Sequence, residues 1–270
     1  MSRAVSNVEF ELNKANQLIS SGNFDDAATI YTEILAKNPK NLGAKDGLKK
    51  VHQSKRRLNP KKHRKLLQLL HNGRYLELSI ELEKLIKIHP KAFEVWQIMG
   101  ALAAQLKDFV TAESAFRKVL DLNPVCSDSY YNLGCILVDQ EKFHQAIECF
   151  KVAINQKPDF LLAHYNLAIA QEGVGDNFAA KESYHRTLQL DKNHAPSLNN
   201  IGKLSNKLGE FGKAIKYFRS AIDCDPKNAI FFQNLAGVYE KIGDLSDAIK
   251  TYEKCLRLDP NNPIALNNIG

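Results

Sequence analysis

The chain has 270 residues, 44% of them hydrophobic and 25% charged, with only 14 Gly and 9 Pro and a formal net charge of +7. This composition excludes a low-complexity or disordered polypeptide, no run approaches 18 apolar residues, and the start, MSRAVSNVEFELNKANQL, lacks the apolar core of a secretory signal, so a cytoplasmic, non-membrane protein is expected. The five cysteines, Cys126, Cys135, Cys149, Cys224 and Cys255, are odd in number and without CxxC spacing, which reads as packing residues in a reducing compartment, with no metal site and no cofactor.

Taken from the N-terminus, Val8 to Asn41 is the first copy of a pattern with a period of 34 residues. Numbered 1 to 34, it places Ala15 at 8, Leu18 at 11, Gly22 at 15, Ala27 at 20, Tyr31 at 24 and Pro39 at 32. The phase then slips: Leu42 to Leu58 is half a copy, in which Ala44, Leu48 and Val51 keep a helical stripe, so a lone helix is expected to pack on the preceding hairpin. This predicts an N-terminal module over 1–57, joined through SKRRLNP to a longer array over 58–270.

The array runs as copies 59–92, 93–126, 127–160, 161–194, 195–228 and 229–262, followed by the beginning of another over 263–270. Position 8 is small (Gly100, Gly134, Ala168, Gly202, Ala236), as is position 20 (Ala112, Ala146, Ala180, Ala214, Ala248). Position 24 is large (Phe116, Phe150, Tyr184, Phe218, Tyr252), and so is position 4, apart from His164, which reads as a packed substitute for an aromatic. Apolar residues at 4, 7, 8 and 11, then at 20, 24, 27 and 28, have helical spacing, so each copy is two amphipathic helices whose small residues admit large ones. Gly73, Gly175, Gly209 and Gly243 at position 15 suit a left-handed turn between them, with Lys107 and Glu141 as exceptions, and prolines at position 32 end the second helix, with Lys192 the exception. The first helix of copy 59–92 matches poorly, with Leu66 where a small residue is usual, and is expected to act as a partial cap. A helix stopped at Gly270 after about two turns cannot bury its stripe, so the sequence is expected to continue in a longer protein.

With Trp96 or a substitute at 4, Leu-Gly or Leu-Ala at 7 and 8, Ala at 20, an aromatic at 24 and Pro at 32, the pattern resembles the tetratricopeptide repeat. The resemblance implies an all-α, right-handed solenoid of antiparallel helix hairpins whose first helices line a concave face. The central copies are also similar to the repeats of O-linked N-acetylglucosamine transferases, and residues 71–124 resemble repeats that precede sulfotransferase or glycosyltransferase domains. No HExxH, GxSxG, P-loop or dinucleotide fingerprint is present, so the chain as it stands is expected not to be an enzyme.

Two features stand apart from the packing code. Residues 45–65 hold ten Lys and Arg against Asp46 alone, a balance of +9, while the remainder of the chain nets −2. No aromatic interleaves this run, so it reads as a solvated joint, and any nucleic-acid affinity is expected to be non-specific. The second feature is Asn at position 6 of five successive copies: Asn132, Asn166, Asn200, Asn234 and Asn268. Position 6 points away from the core stripe, with positions 2, 9 and 13 within 60° of it.

The candidate binding residues are therefore Asn132, Asn166, Asn200 and Asn234, with Asp128 and Asp139 early and Lys203, Lys207 and Lys241 late. A carboxylate clamp built on Asn132, Asn166, Lys203 and Lys207 is disfavoured, because Asp128 stands where the clamp's first Lys belongs. The expected function is a scaffold that holds an extended peptide or partner segment, with the Asn amides pairing its backbone. The other reading is a non-catalytic, substrate-recognising region of a larger transferase. Since no packing demand on these asparagines is visible in the sequence, replacing all four with Ala is expected to leave folding nearly intact.

Overall fold

The computed structural model describes residues 2–21, 23–55 and 58–269, with the backbone alone at 2–7, 25 and 52–55. Gly22, Arg56, Arg57 and Gly270, on which parts of the turn, the basic joint and the last copy were read, lie outside the described residues. The described residues form sixteen helices and no strand. They are α1 (Ser2–Ser21), α2 (Phe24–Lys37), α3 (Leu42–Lys55), α4 (Pro60–His71), α5 (Tyr75–Ile88), α6 (Phe93–Gln105), α7 (Phe109–Leu122) and α8 (Ser127–Asp139). There follow α9 (Phe143–Gln156), α10 (Leu161–Gly173), α11 (Asn177–Leu190), α12 (Ala195–Lys207), α13 (Phe211–Cys224), α14 (Ala229–Lys241), α15 (Leu245–Leu258) and α16 (Pro263–Ile269). The fold is all-α. The chain divides into two compact units, Met1–Ser129 and Tyr130–Gly270, and the break in repeat phase at 42–58 lies inside the first.

The small–large code works by direct contact within each hairpin. A Cβ placed on Gly134 would lie 2.6 Å from the Phe150 ring, and one on Gly202 would lie 2.8 Å from Phe218, so each ring rests on the bare backbone of the helix it faces. The alanines at position 20 are buried for the same reason. Between the helices the chain turns through the left-handed region, at Gly175 (φ 82°) and also at Lys107 (φ 59°) and Glu141 (φ 58°). At Lys107 the turn is a Schellman motif: Asp108 N donates to Ala103 O at 2.9 Å and Lys107 N to Ala104 O at 3.0 Å. Asp108 then caps the next helix by accepting from Thr111 N at 3.1 Å, and the Thr111 side chain, followed by that N–H, holds its carboxyl below the usual range. One residue thus closes one helix and opens the next.

In the first unit, α1–α3 share a core of Ala15, Ala27, Tyr31, Ile34, Ala44 and Val51. Tyr31 lies against Gly47 of α3 and donates its hydroxyl to Asn16 Oδ1 at 2.8 Å. Leu66 on α4, where a small residue was expected, is fully buried in one cluster with Leu82, which occupies position 24 of the same copy. A larger residue at 8 is thus accompanied by a smaller one at 24. The described cations of the basic joint lie on α3 (Lys45, Lys49, Lys50) and α4 (Lys61, Lys62, Arg64, Lys65), and Lys62 is ion-paired with Glu81 of α5.

In the second unit His164 takes the aromatic place at position 4. It is buried, and its Nε2 lies 3.0 Å from the Pro158 carbonyl, the bond that Trp96 Nε1 makes to Pro90 O in the first unit, also at 3.0 Å. The imidazole N–H thus takes the place of the indole N–H, whereas Leu198 and Phe232 fill the same position by packing alone.

Candidate functional site

In the second unit the first helices of successive copies are α8, α10, α12, α14 and the short α16. From α10 onward the asparagine at position 6 of each copy bonds to the copy before it. Asn166 Nδ2 donates to Tyr131 Oη at 3.0 Å and lies 3.7 Å from Cys135 Sγ, both on α8. Asn234 Nδ2 donates to Asn199 Oδ1 of α12 at 2.8 Å. Asn200 Nδ2 donates to Tyr184 Oη at 3.0 Å, and Asn268 Nδ2 to Tyr252 Oη at 2.7 Å, each tyrosine belonging to the second helix of the preceding copy.

The two patterns have one cause. In the second unit, where position 24 is Tyr, position 12 is Glu: Tyr184 donates to Glu172 Oε2 at 2.6 Å and Tyr252 to Glu240 Oε2 at 3.0 Å. The buried phenol gives its proton to the carboxylate, and its oxygen accepts from the asparagine of the following copy. Burial, followed by the neighbouring Glu172, pushes the Tyr184 hydroxyl far up, and Tyr252 is raised chiefly by burial. Where position 24 is Phe150 or Phe218 no phenol exists, and the following asparagine turns to position 5, Tyr131 or Asn199.

The sequence had given these asparagines no packing role. In the structure Asn166, Asn200 and Asn234 are half-buried, and each commits an N–H to its neighbour, so replacing them removes inter-repeat bonds. The Oδ1 atoms of Asn166 and Asn234 accept no hydrogen bond among the described residues. Asn132 is half-buried on α8.

The charged candidates are more exposed. Asp139 ends α8, Lys203 and Lys207 project from α12, and Lys241 on α14 reaches Asn206 Oδ1 at 3.3 Å. None of the three lysines pairs with a carboxylate among the described residues. Asp128, in the first turn of α8, is exposed and belongs to the first unit. The Cys135 thiol is pushed up to about 11, first by burial, with Asp139 adding to the rise against the Tyr131 hydrogen bond, so it is not a poised nucleophile.

A row the sequence reading did not single out completes this face. Position 2 is Leu162, Pro196, Ile230 and Ile264, all exposed. Aligning the copies would have shown it, because apolar residues at a position outside the core stripe lack a packing reason. Elsewhere in the unit, a cavity of about 320 Å³ opens over Phe232, Leu235 and Tyr239, rimmed by Arg219, Asp223 and Lys254. Arg219 Nη2 donates to Tyr239 Oη at 2.6 Å there. Among the described residues no group of three His, Cys, Asp or Glu is placed to hold a metal ion, and no helix is long and apolar enough to cross a membrane.

Residues 93–126, 195–228 and 229–262 match family models described as tetratricopeptide repeat, and 134–175 one described as TPR repeat, together more than half of the chain. No curated protein matches it significantly. Among solved structures it is similar to MamA, at 25% identity over 60% of this chain and 95% of that one, with a TM-score of 0.57. PilF of Pseudomonas aeruginosa is similar at 18% identity over 80% of this chain and 96% of that one, TM-score 0.67. YrrB, described as a TPR protein with an unusual peptide-binding site, is similar at 19% identity over 69% of this chain and 96% of that one, TM-score 0.57.

Proposed function

We propose that this chain, which belongs to the tetratricopeptide-repeat family, is an interaction scaffold whose second unit holds an extended peptide segment on the face formed by its first helices. The observation that carries the reading is the register of that face. From α10 to α16 each copy repeats an exposed apolar residue at position 2 and an asparagine at position 6, and lysines follow at 9 or 13 in α12 and α14. The core requires neither the apolar row nor the lysines, since both are exposed. With one N–H of each amide held by the neighbouring copy, the free Oδ1 atoms of Asn166 and Asn234 are acceptors fixed in place, suited to the N–H groups of a bound backbone. The structural likeness to YrrB, itself described as having a peptide-binding site, is one of fold and is consistent with this reading.

The test is a selection of random fifteen-residue peptides on the full chain, followed by affinity measurement against a Leu162→Asp/Ile230→Asp variant. Both positions are exposed, so the variant should fold. Selected peptides are expected to lose about tenfold or more in affinity for it. Peptides that bind the variant as tightly as the parent would place the interaction elsewhere on the molecule.

A further inference from the structure

The face has a cross-section as well as a register. Within one first helix, position 2 lies about 6 Å along the axis on one side of position 6, while positions 9 and 13 lie about 4.5 and 10.5 Å on the other. Across α12 and α14 this gives an apolar lip (Pro196, Ile230), a central row of amides (Asn200, Asn234) and a basic lip (Lys203, Lys207, Lys241). The lysines lack carboxylate partners among the described residues, so the lip asks for negative charge from outside.

The spacing along the face selects a backbone conformation. Neighbouring first helices are joined directly by side-chain bonds, Asn166 to Tyr131 at 3.0 Å, Asn234 to Asn199 at 2.8 Å and Lys241 to Asn206 at 3.3 Å. Helices packed through side chains lie about 8–10 Å apart. A β-strand returns side chains to one side about every 6.7 Å, which falls out of step with that spacing within one repeat. A polyproline-II chain returns every third residue, roughly 9.3 Å, which stays in step. Its threefold symmetry also sends successive side chains to three directions, matching an apolar lip, a basic lip and solvent.

Resting on the reading that the first-helix face of the second unit binds peptide, we propose that its occupant is a polyproline-II segment of a partner protein in which apolar residues recur every third position with an acidic residue between them. The apolar residues lie along Leu162, Pro196, Ile230 and Ile264. The acids face Lys203, Lys207 and Lys241, so they matter in the half of the segment over α12 and α14. Near α8, where Asp139 stands on that lip, an acid is disfavoured.

The experiment uses the full chain and fluorescein-labelled peptides of equal length: an Ile-Glu-Pro triplet repeat, an Ile-Lys-Pro triplet repeat and an alternating Ile-Glu repeat. The Ile-Glu-Pro peptide is expected to bind at least about tenfold more tightly than either other peptide, with that margin lost in Lys203→Glu/Lys207→Glu and in Leu162→Asp/Ile230→Asp. Equal or tighter binding of the alternating peptide overturns the spacing, and equal binding of the lysine peptide overturns the charge. Absence of Ile-Glu-Pro binding, while library peptides still depend on Leu162 and Ile230, overturns this inference and leaves the groove reading standing. Library peptides indifferent to both residues overturn the groove reading itself. Self-association of the chain that Leu162→Asp/Ile230→Asp abolishes would assign the face to a second copy and overturn the inference.

Discussion

Asn200 Nδ2 donates to the hydroxyl of Tyr184 at 3.0 Å, although the two residues belong to different repeats, and the same hydroxyl donates to Glu172 at 2.6 Å. The phenol is buried, so it needs an acceptor for its proton, and the glutamate of its own hairpin provides one. The asparagine of the next repeat then completes the oxygen. The same three residue types meet at Asn268, Tyr252 and Glu240, where Asn268 also donates to Glu240 Oε2 at 3.0 Å.

Tyr184→Phe leaves Glu172 and Asn200 without their shared partner and is expected to lower stability by about 1–3 kcal/mol, since one lost bond goes to a charged group. Combining it with Glu172→Val reproduces the Val138/Phe150 pairing of the copy at 127–160 and should recover part of that loss. Urea denaturation of the two single variants and the double variant measures the coupling. Strict additivity would show that Glu172 and Tyr184 act independently.

The asparagine row now carries a stability prediction as well. Asn234→Ala removes the bond to Asn199 and is expected to cost about 0.5–1.5 kcal/mol. The joint replacement of Asn132, Asn166, Asn200 and Asn234 should therefore lower the melting temperature measurably, in addition to weakening peptide capture. An unchanged melting temperature would mean that water replaces these bonds at no cost.

Acid should destabilise the second unit through two histidines. His194 Nδ1 accepts from Ser197 N at 3.3 Å to cap α12, and its ring stands edge-on to Tyr165 at 5.0 Å. Burial holds it below the ordinary value of 6.5 against the opposing pull of Asp191, and burial followed by Lys181 lowers His185. A histidine whose folded value is depressed contributes stability that is complete above about 6.5 and is lost as pH falls toward the folded value, because the unfolded chain takes up the proton first. Unfolding free energy should therefore fall between pH 7 and pH 5. His194→Asn, which installs the cap residue found at Asn228 and Asn262, should make that slope shallower. The same slope in the variant would remove His194 from the account.

Gly134→Leu drives a side chain into the Phe150 ring, which a Cβ alone would approach to 2.6 Å, and Ala146→Leu enlarges a fully buried residue on the same helix as that ring. Each is expected to cost about 1–3 kcal/mol. The natural Leu66/Leu82 pair shows the compensating arrangement, so Gly134→Leu with Phe150→Leu should be more stable than Gly134→Leu alone. A double variant no better than the single one would show that the contact cannot be repacked at this site.

Much of this protein was determined by its sequence alone. Two helices per copy follow from the 3.6-residue spacing of apolar positions, and the Gly134–Phe150 and Gly202–Phe218 contacts from small and large residues at fixed places 16 residues apart. Such signals are local and recur in phase, so each copy supports the reading of the others. That Leu66 pairs with Leu82, and that His164 repeats the Trp96 bond, became visible only where side chains meet across helices. The asparagine row depended on tertiary structure most of all. Its spacing marked an exposed face, yet whether its amides point outward or into the stack is decided by partners 16 to 35 residues away. Those partners differ with the presence of a hydroxyl at position 24, and a buried polar group must be satisfied wherever the packing puts it.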